Sequence, residues 1–250
     1  MDRKLCVKKP RIFLSPLELI LIEKILLKIG TKITGMKMRI VFLLSCLAGL
    51  RIGEICVLQL DDFARDPNTG LLLRDKKNRA VLHFPASKTM SGPGLYWSFG
   101  IVLVPFLADV IDFYLASIAM TGAPANAYLI HRGNHWSCGR INSWSIMVFF
   151  QRYKSILSEG LVHHPKGTIF SLRDLRNTCC NLILRFGFHW RNIEKIARIH
   201  LRQSLGYSYP SLKVRMLTKP ITKTEYYDAV LDALGFPWDE KEIKSWHTGR

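Results

Sequence analysis

The sequence predicts a mainly α fold with a small antiparallel β-sheet, an α+β class. Apolar residues recur at helical spacing up to Leu60. From Gly70 their period shortens to about 2 residues, which is typical of strands, and helical spacing returns after Pro105. A short group of strands between two helical blocks indicates a sheet set into a helical domain.

The first helical block contains three predicted helices. Ser15 stands as an N-cap before Pro16 at the first helical position, so a helix begins there and continues to Gly30. A second, mostly buried helix is predicted over residues 38–47, and a third over residues 52–60. The basic, irregular residues before Ile12 predict an exposed tail or linker.

Three strands and then two helices are predicted after the first helical block. The predicted strands cover residues 71–73, 80–84 and 101–104, with polar or Gly/Pro-rich turns between them. Helices are predicted over residues 105–120 and 141–157, with a short strand and turn between them at 127–134. The aromatic residues of the helix predicted over 141–157 fall at core spacing, namely Trp144, Phe149, Phe150 and Tyr153.

Two arginines stand three residues apart at the start of a further predicted helix. Arg173 and Arg176 share one helical face, and Ser171 with Asp174 forms a capping box before them. Guanidinium groups on a rigid element near a positive helix end suit phosphate binding. Because an isolated pair of this kind more often makes a surface salt bridge, the interpretation depends on a second basic position.

The second position follows a helix break. The apolar helix ends at Gly49, and the lone Arg51 precedes a new amphipathic helix that contains Glu54. Lys88 lies in the connection between the second and third predicted strands. A later helix is predicted over residues 190–201, and several tyrosines follow it, among them Tyr209.

These residues together resemble the catalytic domain of the tyrosine recombinase (phage integrase) family. The run GLRIGE at 49–54 is similar to the first arginine motif of the family, and RDLRNT at 173–178 to its second, usually written His-x-x-Arg-(His)-Thr. The resemblance covers residues 12–235 and leaves 1–11 and 236–250 as tails. It implies a site-specific recombinase or integrase of a mobile genetic element. Such an enzyme cuts and rejoins DNA through a 3′-phosphotyrosyl intermediate, without metal, ATP or other cofactor.

The resemblance also implies roles for single residues. Arg51 and Arg176 would stabilise the charge that develops on the scissile phosphate. Lys88 would protonate the leaving 5′ oxygen, and His200 would hydrogen-bond a non-bridging oxygen. Arg173 occupies the position of the family's histidine, where a guanidinium can bind phosphate but is a poor proton acceptor. In the family the acidic residue at the position of Glu54 buttresses the first arginine.

The nucleophile is predicted from spacing within the resemblance. Tyr209 follows His200 by nine residues, as in the family, although Ile199 replaces the family's glycine. A rival register aligns LGYS at 205–208 with the family's Leu-Gly-His-Ser and makes Tyr227 the nucleophile. Tyr207 is the third alternative.

Composition agrees with a nucleic-acid partner. Lys and Arg number 36 against 19 Asp and Glu, a net charge of +17, which suits attraction to phosphate. We expect double-stranded DNA as the partner, self-association on DNA as a dimer to tetramer, and no membrane, because the apolar run at 40–50 is too short to span a bilayer. With no signal peptide at its start, the protein is expected in the cytoplasm, associated with the nucleoid when bound to DNA.

The remaining candidate ligands favour no metal site. The six cysteines include no C-x-x-C pair and are expected to be reduced, mostly in the core. His163 and His164 have no acidic or cysteine partner at a ligand spacing, which predicts solvated side chains.

Two alternative functions remain open. Full-length members of the family carry a separate N-terminal helical domain, whereas only about a dozen residues precede the first predicted helix here. This indicates a minimal recombinase or, alternatively, an inactive or truncated remnant that binds DNA without cutting it. A basic protein that binds RNA or membranes by charge alone would not explain the ordered motifs.

Overall fold

The computed structural model describes residues 12–74, 78, 80–84, 99–103, 105–117 and 120–185. These residues form helices around one apolar core and a two-stranded antiparallel sheet, which confirms the predicted fold class. The elements are α1 (Pro16–Lys28), α2 (Lys32–Leu47), α3 (Ile52–Cys56), β1 (Ala80–Phe84), β2 (Phe99–Leu103), α4 (Pro105–Leu115), α5 (Ser143–Arg152), α6 (Lys154–Ser158) and α7 (Leu172–Arg185).

Helix α1 begins as its sequence predicts. The N–H of Ser15 donates to Oε2 of Glu18 at 2.8 Å, and the N–H of Glu18 donates back to Oγ of Ser15 at 3.3 Å. This reciprocal capping box satisfies backbone donors that the first turn leaves open. The helix ends at Lys28, just before Gly30, whose φ of +73° favours glycine.

Helix α2 is the centre of the core, and α1, α3, α4 and α7 pack on it. It begins at Lys32 rather than at residue 38, because Thr31 caps it by accepting the N–H of Thr34 at 3.2 Å. Gly35 lets α1 approach closely, since a Cβ there would lie 2.8 Å from the carbonyl oxygen of Leu26. Most side chains from Gly35 onward are buried.

Several further sequence predictions differ from the structure. The short strand predicted within 127–134 is not formed, and these residues contribute only isolated bridges, from Tyr128 to Gln59 and from His131 to Arg140. The third helix ends at Cys56 because backbone bonds tie Leu58 and Leu60 to residues 127–129 instead. Residues 71–73 form no strand and contribute a single bridge between Arg65 and Leu72. Helix α4 stops at Leu115, and the predicted helix over 141–157 divides at Tyr153 into α5 and α6.

The side chains of α5 also correct one assignment to the core. Phe150 is buried and Phe149 packs against the core, as the spacing predicts. Trp144 is instead 68% exposed, because it lies on the face of α5 that points away from the core. No helix in the described part of the chain is both long enough and apolar enough to cross a bilayer.

A buried polar network fixes the loop that precedes α5. The ammonium of Lys37 on α2 donates to the carbonyl oxygens of His131 and Gly133 and lies 3.0 Å from Nδ1 of His131. Nε2 of the same imidazole lies 3.1 Å from the hydroxyl of Tyr114 on α4. Burial lowers the pKa of Lys37 to about 8, and burial together with the charge of Lys37 lowers the pKa of His131 to about 4.

This network predicts a loss of stability in acid. Between the ordinary pKa of 6.5 and a pKa of about 4, the unfolded chain binds a proton on His131 that the folded chain does not. The free energy of unfolding should therefore fall as pH drops through this window, by up to about 3 kcal/mol. Urea unfolding of wild type and His131→Gln at pH 4 to 7 measures it. The wild type should lose stability relative to the variant, and parallel curves would contradict the prediction.

Candidate phosphate-binding site

The end of α2 determines where Arg51 lies. Gly49 turns the chain at a φ of +70°, and the N–H of Leu50 donates back to the carbonyl of Leu44 at 3.3 Å. Leu50 is buried beneath this turn at 1% exposure. Arg51 follows in an extended conformation and immediately precedes α3, so its backbone is held at both ends.

Glu54 fixes the side chain of Arg51. Its carboxylate is fully buried and accepts the backbone N–H of Arg51 through Oε2 at 2.7 Å. Oε1 lies 3.3 Å from Nη1 of Arg51 in a salt bridge. The guanidinium side chain retains 29% exposure, so it is anchored on one side and open to solvent on the other. Glu54 therefore contacts the arginine as the family resemblance implies.

Helix α7 is anchored against α2 and α5 at its start. The ring of Phe170 lies 6.5 Å from the ring of Phe42 on α2 and 6.5 Å from that of Phe150 on α5. Leu175 and Cys179 are buried one turn apart, and Sγ of Cys179 donates to the carbonyl of Leu47 at 3.7 Å. Because Leu47 is the last residue of α2, α7 passes beside the turn that leads to Arg51.

The first turn of α7 is capped by its own acidic residue. The N–H and the hydroxyl of Ser171 both donate to Oδ2 of Asp174, each at 2.7 Å. This carboxylate already occupies the positive end of the helix. Any phosphate bound at this place therefore depends on arginine side chains rather than on the helix start.

Arg51 and Arg176 act on the same carboxylate. Burial raises the pKa of Glu54, and the charges of Arg176 and Arg51 both oppose that rise. Arg176 is itself partly buried on α7. Two guanidinium charges beside one carboxyl group leave a positive local charge, which complements the negative charge of a phosphodiester.

Of the other predicted site residues, only Arg173 lies in the described part of the chain. Arg173 is exposed on α7, one turn before Arg176. Lys88, His200 and Tyr209 lie outside the described residues, as do the alternative nucleophiles Tyr207 and Tyr227.

The two adjacent histidines are not simply solvated, which corrects the sequence interpretation. His163 and His164 lie 4.0 and 3.8 Å from the carboxylate of Glu18, an acidic partner far away in sequence. Among the described residues, no group of three or more potential ligands is arranged to hold a metal ion. The free thiols of Cys46, Cys56 and Cys179 are buried as expected, whereas that of Cys138 is exposed.

Comparison with known proteins finds similar folds among solved structures. No protein-family model matches the chain, and a search of curated proteins finds no significant match. Among solved structures, the XerA recombinase is similar with a TM-score of 0.54 and 16% identity, over 91% of this chain and 65% of that one. The Mycobacterium phage Brujita integrase gives a TM-score of 0.43 and 14% identity, over 95% and 64% of the two chains.

A third similar structure is the Tn1549 transposon integrase in complex with circular intermediate DNA. It has a TM-score of 0.47 and 15% identity, over 89% of this chain and 66% of that one. The chain thus spans about two thirds of the length of the solved structures it matches. The likeness to XerA, together with the described elements, shows that the chain has the fold of a tyrosine recombinase catalytic domain.

Proposed function

We propose that this chain is a DNA strand transferase of the tyrosine recombinase type. The observation that carries the proposal is the placement of Arg51 and Arg176 around one buried carboxylate. Two guanidinium groups near Glu54 supply donors that suit the oxygens of a phosphodiester. The fold shared with XerA recombinase supports the same class of reaction.

In the proposed reaction, a tyrosine hydroxyl loses its proton to water as its oxygen attacks phosphorus, and the bond from phosphorus to the 5′ oxygen breaks. Arg51 and Arg176 hold the two non-bridging oxygens, whose negative charge grows as the pentavalent intermediate forms. Lys88 gives a proton to the leaving 5′ oxygen, and His200 donates to a non-bridging oxygen. The phosphotyrosyl bond preserves the energy of the broken bond, so the 5′ hydroxyl of another strand can reverse the step without ATP.

The assembly follows from the same proposal. Joining strands from two duplexes requires more than one active site, so we propose that two to four copies meet on double-stranded DNA. This exchange would serve DNA recombination or integration of a mobile genetic element.

A second candidate function is an inactive DNA-binding remnant. The observation that favours it is Arg173, an exposed guanidinium at the position where the resemblance implies a histidine. An arginine there can bind phosphate but cannot accept the proton of a tyrosine near neutral pH. DNA binding without strand cleavage under all conditions would support this candidate.

Both candidates predict duplex DNA binding that depends strongly on salt. With a net charge of +17, the chain should bind duplex DNA with micromolar or better affinity at low salt. Because binding releases counterions from phosphate, the affinity should fall steeply as salt rises. Fluorescence anisotropy at 50 to 300 mM salt measures it. An affinity that does not change with ionic strength would contradict both candidates.

A further inference from the structure

The beginning of the described chain is fastened to α7, the helix that carries Arg176. We call residues 13–15 the strap. Within it, the N–H of Leu14 donates to Oγ1 of Thr178 at 3.0 Å, and both residues are almost fully buried. The hydroxyl of Thr178 in turn donates to the carbonyl of Asp174 at 2.9 Å. Thr178 therefore uses its proton within α7 and a lone pair toward the strap.

A second set of contacts fastens the strap to the loop before α7. The imidazole Nε2 of His164 donates to the carbonyl of Phe13 at 3.2 Å, and Nδ1 of His163 lies 2.9 Å from Oγ of Ser15. The buried carboxylate of Glu18 accepts the backbone N–H of His163 at 2.9 Å as well as that of Ser15 at 2.8 Å. The strap is thus held from two sides.

The geometry of α7 relates the strap to the arginine site. Each residue turns 100° about a helix axis, so Leu175 and Cys179 define the line that faces α2. Arg176 lies on one flank of this line, toward Glu54, and Thr178 lies on the other flank, toward the strap. A contact at Thr178 therefore resists rotation of the helix about its axis, and the same rotation would displace Arg176.

The size of this effect matters for chemistry. Side chains extend roughly 5–6 Å from a helix axis, so a rotation of about 10° moves their ends by about 1 Å. A displacement of about 1 Å in a group that stabilises a transition state can lower a reaction rate about 100-fold. A bond that limits such rotation is therefore able to affect catalysis without touching the substrate.

We propose that Thr178 is a positioning residue: through its hydrogen bond to the strap, it sets the rotation of α7 and so the place of Arg176 opposite Arg51. The catalytic part of this inference rests on the proposed strand-transfer function.

Hydrogen exchange tests the strap without reference to activity. Thr178→Val keeps the shape of the side chain but removes its hydroxyl, and Thr178→Ser keeps the hydroxyl. The buried Ile111→Val on α4 serves as a control for a general loss of stability. In Thr178→Val, amides 175–179 should exchange at least about tenfold faster than in Ile111→Val, and Thr178→Ser should stay near wild type. Equal exchange in Thr178→Val and Ile111→Val would overturn the strap.

Strand cleavage of nicked duplex DNA tests the effect on the site. Thr178→Val should lower the cleavage rate at saturating DNA at least about tenfold, with DNA affinity within about threefold of wild type, and Thr178→Ser should recover most of the rate. A Thr178→Val rate equal to that of wild type would overturn the positioning role. Absence of cleavage by wild type would count instead against the proposed function, and the exchange experiment would still decide whether the strap holds α7.

Discussion

Replacing Arg176 with alanine is expected to lower DNA strand cleavage by at least 100-fold to 1,000-fold, while DNA affinity falls by no more than about tenfold. The reason is that the charge on the non-bridging oxygens grows in the transition state, so a fixed donor contributes more there than in the bound ground state. In binding, Arg176 is one phosphate contact among many made by a chain of net charge +17.

Two further variants separate chemistry from folding. Arg176→Lys keeps the charge beside Glu54 but loses the planar fork, so it should fold normally and still cleave poorly. Arg173→Ala removes an exposed guanidinium from the same helix. The fold-loss in its cleavage rate should be smaller than that of Arg176→Ala by a factor of at least about ten. Cleavage and binding are measured on one nicked duplex, with thermal unfolding of each variant. Equal loss of binding and cleavage in Arg176→Ala would indicate a binding role only.

Replacing the nucleophilic tyrosine is expected to abolish the covalent adduct with DNA. We predict that this residue is Tyr209, because nine residues after His200 allow one short turn to return a side chain to the same phosphate. Phenylalanine keeps the ring and removes only the attacking oxygen, so DNA binding should be unchanged. Tyr227 would require a second excursion of the chain to reach the same place.

A suicide substrate nicked near the cleavage point makes this prediction measurable. The adduct is trapped when the short fragment released by cleavage diffuses away, and a denaturing gel shows it as protein that migrates with labelled DNA. Tyr207→Phe and Tyr227→Phe serve as matched controls that should retain the adduct. Loss of the adduct in Tyr227→Phe alone would show that the rival register is right.

Elements with local signals could be predicted from the sequence. The serine, proline and glutamate at the start of α1 define its cap within four positions, and β1 spans the predicted residues 80–84. The start of α2 has no clear sequence signal, because its cap is a threonine followed by a segment without clear apolar spacing. Residues 58–60 and 71–73 were assigned wrongly, because their backbone partners come from distant chain or amount to a single bridge.

The arginine site also combines features with local sequence signals and features that depend on distant parts of the chain. Arg51 and Arg176 stand in recognisable local motifs, but their common action on Glu54 depends on how α7 packs beside the end of α2. The partnership of Glu18 with His163 spans 145 positions, so no spacing rule could detect it. The same holds for Thr178 and the strap, whose contact joins the first described residues to the last described helix.

The salt dependence of duplex binding tests most directly whether Arg51 and Arg176 hold one phosphate. The slope of log affinity against log salt changes by about 0.9 for each phosphate that the protein neutralises. If both arginines hold the same phosphate, Arg51→Ala combined with Arg176→Ala should reduce the slope by about 0.9 in total, and each single variant by less. A reduction of about 1.8 in the double variant would place the two arginines on separate phosphates, and no change would show that the pair does not contact DNA.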